Sequence, residues 1–242
     1  MRHFIAVGLI LVISMSGFGA TYYVSTSGND SWPGSQAQPW ATFQKAVDTI
    51  ANGDTTLVMP GTYVGCRIRY SAAAGSPKTL KAQTAGTVLV NAPGALCRRP
   101  SDIEIISDDW GATPTSYWVI EGLEVINSPK WGIDGIRPYN ITIRNNVAHH
   151  NGTGGSFTGI HQGFCDYALI ENNTSYSNSE HGLYCCNSAD NGVARNNVLY
   201  SNGSEGMHMN GDARQGGDGI MTNWVVEKNK AGNNVNHGFD GD

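Results

Sequence analysis

Four short runs place a chemically capable side chain at one repeated position. They are Gly159-Ile160-His161, Gly182-Leu183-Tyr184, Gly206-Met207-His208 and Gly238-Phe239-Asp240. Side chains alternate along a strand, so if the apolar residue points inward, the residue after it points outward. Stacked strands would bring His161, Tyr184, His208 and Asp240 into one column, with neighbours about 5 Å apart. Asp134, after Gly132-Ile133, extends that column by one step. A carboxylate beside an imidazole orients the ring and raises its pKa. His208 and Asp240 are therefore read as a catalytic pair, with His208 as base. Tyr184 can stack on a sugar ring, while His161 and Asp134 can bond hydroxyls or carboxylates. Arg137 and Lys130 suit an acidic sugar. Asp212, Asp218, Asp240 and Asp242, with Asn210 nearby, offer oxygens to Ca²⁺, which takes six to eight. Glu180, His181, Glu205 and His237 lie in the turns just before these strands and are read as surface.

The elements that must carry the column repeat along the chain. Ile143-Arg144-Asn145-Asn146, Ile170-Glu171-Asn172-Asn173, Ala194-Arg195-Asn196-Asn197 and Val226-Glu227-Lys228-Asn229 align, each with a further Asn five residues on. Asn146, Asn173, Asn197 and Asn229 are spaced by 27, 24 and 32 residues, so length varies in loops on a constant frame. Each unit has room for two or three strands and carries no helical period. Parallel coils stacked about 4.8 Å apart satisfy the backbone between units. The Asn columns then read as ladders that tolerate left-handed turns and bond the coils above and below. A Leu-rich solenoid does not fit an Asn-rich repeat, and a propeller needs blades of about 40 residues or more.

A solenoid end needs a cap. Pro39–Ala51 is expected to supply it as an amphipathic helix, since Phe43, Ala46, Val47 and Ile50 form one stripe. The fold expected is all-β, a right-handed parallel β-helix, with cap 21–54 and coils 55–242.

Residues 1–20 read as a signal peptide: a polar start, an apolar run from Phe4 to Ile13, and small residues up to Ala20. The run is too short to span about 30 Å of hydrocarbon, so the mature chain is expected outside the cytoplasm without a membrane span. Disulfides are allowed there. Cys66–Cys97, and Cys165 with Cys185 or Cys186, are open pairings that spacing does not fix. Thirty-one glycines in 242 residues imply many tight turns. Fifteen basic against 20 acidic residues, net −5, argue against nucleic acid. Gly238-Phe239-Asp240-Gly241-Asp242 begins a strand with no polar cap after it, so the sequence is expected to be a fragment or to self-associate at that open end.

Tyr22-Tyr23-Val24-Ser25, Gly28-Asn29-Asp30, Pro39-Trp40-Ala41-Thr42 and Gly61-Thr62-Tyr63 resemble the N-terminal cap of secreted pectate-lyase-like β-helix proteins, closest to the family-9 polysaccharide lyases. The resemblance implies an acidic polysaccharide as partner, β-elimination at a uronate, a Ca²⁺ held by Asp residues and a Lys as base. The nearest material for the last two is Asp212, Asp218, Asp240 and Asp242 with Lys228 and Lys230. Their spacing does not match the family pattern. The alternative functions are a carbohydrate-binding β-helix without catalysis and a glycoside hydrolase. The hydrolase would need paired carboxylates across the bond.

Overall fold

The computed structural model describes residues 19–213 and 216–241. Most of the expected signal peptide, and Asp242, lie outside the described residues. Among the described residues no helix is long and apolar enough to cross a membrane.

Three parallel sheets run the length of the molecule, with eight, seven and seven strands. Every step from one coil to the next keeps register. In the first sheet Leu80, Ile120, Ile143, Ile170 and Ala194 stack inward. In the second, Val90, Val125, Ala148, Ser175 and Leu199 do so. In the third, Cys66, Ile103, Ile133, Ile160, Leu183 and Met207 do so. These three columns meet in one continuous core. Burial of apolar area at about 25 cal/mol per Å² is the main stabilising term here.

The Asn ladders divide their work between adjacent residues. Asn145, Asn172, Asn196 and Lys228 take the left-handed turn, with φ between 54° and 56°. The residue after each is the ladder member. Asn173 donates its Nδ2 to the Ile143 carbonyl (2.9 Å) and to Asn197 Oδ1 (3.0 Å). Its Oδ1 accepts from the backbone N–H and the Nδ2 of Asn146, at 3.0 and 3.2 Å. An amide has two donors and two acceptor positions, so every valence of this buried group is filled. A second ladder, Asn151–Asn178–Asn202–Asn234, repeats the pattern one turn later. It also explains the glycines that precede the third-sheet strands. A Cβ on Gly182 would lie 2.7 Å from Asn202 Nδ2, and one on Gly132 2.8 Å from Asn151 Nδ2.

One coil earlier the ladder position is held by the shorter Ser128, whose backbone N–H donates to Asn151 Oδ1. There Asp102 occupies the glycine position, one residue before Ile103. Burial raises its carboxyl to about 8, opposed in part by the Ser128 hydroxyl.

The capping helix is shorter than the pattern suggested, Phe43–Thr49 rather than Pro39–Ala51. Thr42, not Pro39, sets its start, accepting the Lys45 N–H at 3.1 Å. The Asp30 carboxylate fixes the preceding chain as extended by taking the N–H groups of Ala41 and Thr42 and the Thr42 hydroxyl. Phe43, Ala46, Val47 and Ile50 are all buried, as the stripe requires. All five cysteines are free thiols, so neither set of pairings is made in this structure.

Candidate functional site

The outward column of the third sheet runs Arg67, Glu104, Asp134, His161, Tyr184, His208, Asp240. The register thus aligns the five positions that alternation placed together and adds two at the N-terminal end. Arg67 follows Gly65-Cys66 at the same offset, whereas Glu104 follows Asp102-Ile103 and carries no glycine signal.

The column is not uniformly open. Asp134 is fully buried and His161 only 5% exposed. The loops before the strands fold over them, and Arg99 brings its Nε within 3.1 Å of Asp134 Oδ2. Ser101 Oγ lies 3.1 Å from the same oxygen, and His161 Nδ1 lies 2.7 Å from Asp134 Oδ1. The expectation that Asp134 meets substrate directly is corrected: its carboxylate is committed to His161, Arg99 and Ser101. His161 is covered by Trp131, whose ring centre is 5.2 Å away. Burial disfavours charge on His161, but the Cys186 sulfur at 3.4 Å and the Asp134 carboxylate outweigh it and lift its pKa to about 9.

The other half of the column opens to solvent. Tyr184 is half-buried, and burial together with Cys186 pushes its hydroxyl well above the usual range, so it keeps its proton. His208 has its ring centre 4.9 Å from that of Tyr184, and its Nδ1 is 3.5 Å from Asp240 Oδ2. The neighbour that the turns deliver is His181. It stacks on His208 at 4.8 Å and 14°, and its ring lies 5.0 Å from Tyr184.

The reading of the preceding turns as surface is therefore corrected for two residues. His181 and Glu205 are 7% and 6% exposed, because each turn folds its side chain back over the strand it leads into. His237 does stay exposed. His181 Nδ1 is 2.7 Å from Glu205 Oε2, which favours the tautomer with Nδ1–H donating to the carboxylate, and its Nε2 lies 3.8 Å from Glu180 Oε1. Burial, then the neighbouring His208, pull the His181 pKa down to about 4, against the Glu205 carboxylate. This imidazole is neutral at ordinary pH. Glu205 is lowered despite its own burial by Ser204, Asn236 and the imidazoles. The signal that would have found His181 is its recurrence with Glu205 one residue before Gly182 and Gly206.

Among the described residues, Asp212, Asp218 and Asp240 form no common cluster, and the fourth aspartate expected to hold Ca²⁺, Asp242, lies outside them. Asn210 Oδ1 accepts the Asp212 N–H at 2.7 Å in a local turn. Asp218 takes the Ile220 N–H at 2.9 Å and is lowered by that bond and by Ser188. Asp240 faces His208 instead. Among the described residues, the His, Cys, Asp or Glu ligand atoms that lie within 4.8 Å of one another belong to Glu205, His237 and Asp240. That set offers an imidazole and two carboxylates, one already bound to His181, whereas Ca²⁺ takes six to eight oxygens. Among the described residues, this set does not fit the ion.

Arg137 lies past the end of the strand Ile133–Ile136, its guanidinium 4.7 Å over Phe164. It borders a cavity of about 270 Å³ shared with Tyr139, Asp166 and Ser188. It is beside the groove, not in the column.

Comparison with known proteins agrees with this architecture. A model of the Pel9A-like right-handed β-helix region matches residues 22–190. Pectate lyase L of Dickeya dadantii (strain 3937) is 28% identical over 137 residues, 54% of this chain and 31% of that protein. The crystal structure of pectate lyase Pel9A superposes with a TM-score of 0.66 at 20% identity, over 80% of this chain and 50% of that one. XylC in complex with xylose gives 0.62 at 11% identity, over 78% and 56%. An alginate lyase from Paenibacillus sp. str. FPU-7 gives 0.54 at 17% identity, over 78% and 72%. The chain spans about a third of the curated relative and half of the Pel9A structure. These structural likenesses are likenesses of fold. With the stacked coils, both Asn ladders and the capping helix in place, this chain belongs to the family of Pel9A-like right-handed β-helix proteins.

Proposed function

We propose that this chain is an exported, polysaccharide-active β-helix protein that cleaves an acidic polysaccharide by β-elimination at a uronate, in the groove of the third sheet. One observation carries the reading. A neutral imidazole held by a carboxylate, His181 on Glu205, stands beside a protonated phenol, Tyr184, with ring centres 5.0 Å apart. Elimination needs a base for the proton α to the carboxyl group and an acid for the departing oxygen. His181 Nε2 takes the C5 proton, the C4–O bond breaks as the C4–C5 double bond forms, and the Tyr184 hydroxyl protonates the leaving oxygen. The base therefore moves from His208, the residue that the spacing favoured, to its stacked neighbour. His208 and Asp240 line the open side and remain in contact with substrate. Arg137, with no ion pair among the described residues, is offered to a uronate carboxylate along the polymer. The pectate lyase and alginate lyase among the similar proteins support an acidic polymer, and the leader-like residues 1–20 support export.

The test is ultraviolet absorbance of the unsaturated product on polygalacturonate and on alginate. Product is expected on one of them, with at least about a hundredfold loss in His181→Ala and in Tyr184→Phe. Binding of both polymers without product would overturn the enzymatic reading and leave a carbohydrate-binding β-helix.

A further inference from the structure

The proposed elimination leaves one buried reactive group unused. Cys186 Sγ lies 3.4 Å from His161 Nε2, and His161 Nδ1 lies 2.7 Å from Asp134 Oδ1. Asp134 is itself fixed by Arg99 and Ser101. A nucleophile within reach of a base, with the base oriented by a third group, is the arrangement that activates a thiol. The β-helix builds it from three successive coils. Asp134 and His161 are register partners, and Cys186 comes from the next strand, two residues beyond Tyr184 on the same outward side. None of the three is used to hold a ladder or fill the apolar core.

The other cysteines set the contrast. Burial pushes Cys66, Cys165 and Cys185 far up, and Cys97 to about 12, with no imidazole on any of them. Those four are held as inert thiols. The sulfur of Cys186 faces a ring that takes a proton readily, since the sulfur and Asp134 together lift His161. Cys186 is only 1% exposed, which shuts out bulky electrophiles.

We propose that Cys186, activated by His161 and Asp134, is a modification site for a small oxidant of the hydroperoxide class. The thiol proton passes to His161 Nε2. The sulfur attacks one peroxide oxygen, the O–O bond breaks, and an S–O bond forms. The departing hydroxide takes the proton back from His161 as water. The net change is thiol plus hydrogen peroxide to sulfenic acid plus water, a two-electron oxidation of sulfur. Tyr184 stands two residues before Cys186 on the same outward side, and the sulfur helps to raise its hydroxyl pKa.

The experiment treats the whole folded chain with hydrogen peroxide, removes the peroxide with catalase, unfolds the chain in dimedone and maps the adduct by peptide mass spectrometry. Labelling is expected at Cys186 ahead of the other four cysteines, at least tenfold faster in the native chain than in Asp134→Asn or His161→Gln, each checked for a retained β-sheet circular dichroism spectrum. If both variants lose the fold, labelling of the wild-type chain at Cys186 ahead of Cys97, the most exposed thiol, carries the test. Equal labelling of Cys97 and Cys186, no adduct, or rates unchanged in a folded variant would each overturn the proposal. The readout needs no lyase activity, so its failure is separate from failure of the proposed function.

Discussion

The outward columns of the first and third sheets share one geometry and differ in what they do with it. On the first sheet the column reads Lys81, Glu121, Arg144, Glu171, Arg195, Glu227, with charge alternating at every coil. Lys81 and Arg144 both reach Glu121, at 2.8 and 2.7 Å, and Arg195 reaches Glu171 at 2.7 Å. Opposite charges directly across a strand pair neutralise one another. The third-sheet column does not alternate. Its Tyr184, His208 and Asp240 have near-neighbours chosen from the preceding turns, His181 and Glu205, and the resulting protonation states depart from the ordinary ones. A column that satisfies itself is scaffold. A column that holds a neutral imidazole beside a protonated phenol has something to offer a ligand.

Four experiments break or sharpen that contrast. The largest effect is expected at His181. Its removal should cost about 10²–10⁴-fold in elimination with little change in melting temperature. The pH profile sharpens the point. The base must be unprotonated, and its pKa is held near 4, so kcat/KM should fall on the acid side near pH 4. A fall near the ordinary histidine value of about 6.5 would count against His181.

Next comes the ladder. Asn173→Ala removes four hydrogen bonds and strands buried partners on both sides, each worth about 1–3 kcal/mol. Urea unfolding should show a loss of about 3 kcal/mol or more, while the activity of the folded fraction stays intact.

Asp102 is third. Its native pKa of about 8 lies above the ordinary carboxylate value of about 4, so between these the native chain holds a proton that the unfolded chain has lost. Stability then falls as pH rises through that window. Asp102→Asn should remove this slope, so its advantage over wild type in urea melts should be larger at pH 8 than at pH 5.

The smallest effect belongs to the first-sheet column. Glu171→Gln breaks a half-exposed pair and should shift stability by less than about 1 kcal/mol, with activity unchanged.

The fold was legible because its two instructions are local and repeat: an Asn pair at a turn, and an apolar residue after a glycine. Those same offsets brought His161, Tyr184, His208 and Asp240 into one column. What alternation alone does not carry is the covering of the strands by the turns before them. That covering buries Asp134, turns His181 over His208, and moves Glu205 from surface to hydrogen-bond partner. It depends on loop lengths that differ from coil to coil. The expected Ca²⁺ aspartates are a related case. Asp212 and Asp218 are near in sequence, but a local turn takes the Asp212 backbone N–H and another the Asp218 carboxylate.

The central claim, that the third-sheet column is the reactive one, is tested most directly by one product assay on polyuronate. It compares wild type, His181→Ala and Glu171→Gln, each confirmed folded by thermal melt. The account predicts unsaturated product from wild type and Glu171→Gln at equal rates, and at least a hundredfold less from His181→Ala. Equal rates in all three, or no product from the wild-type chain, would contradict it.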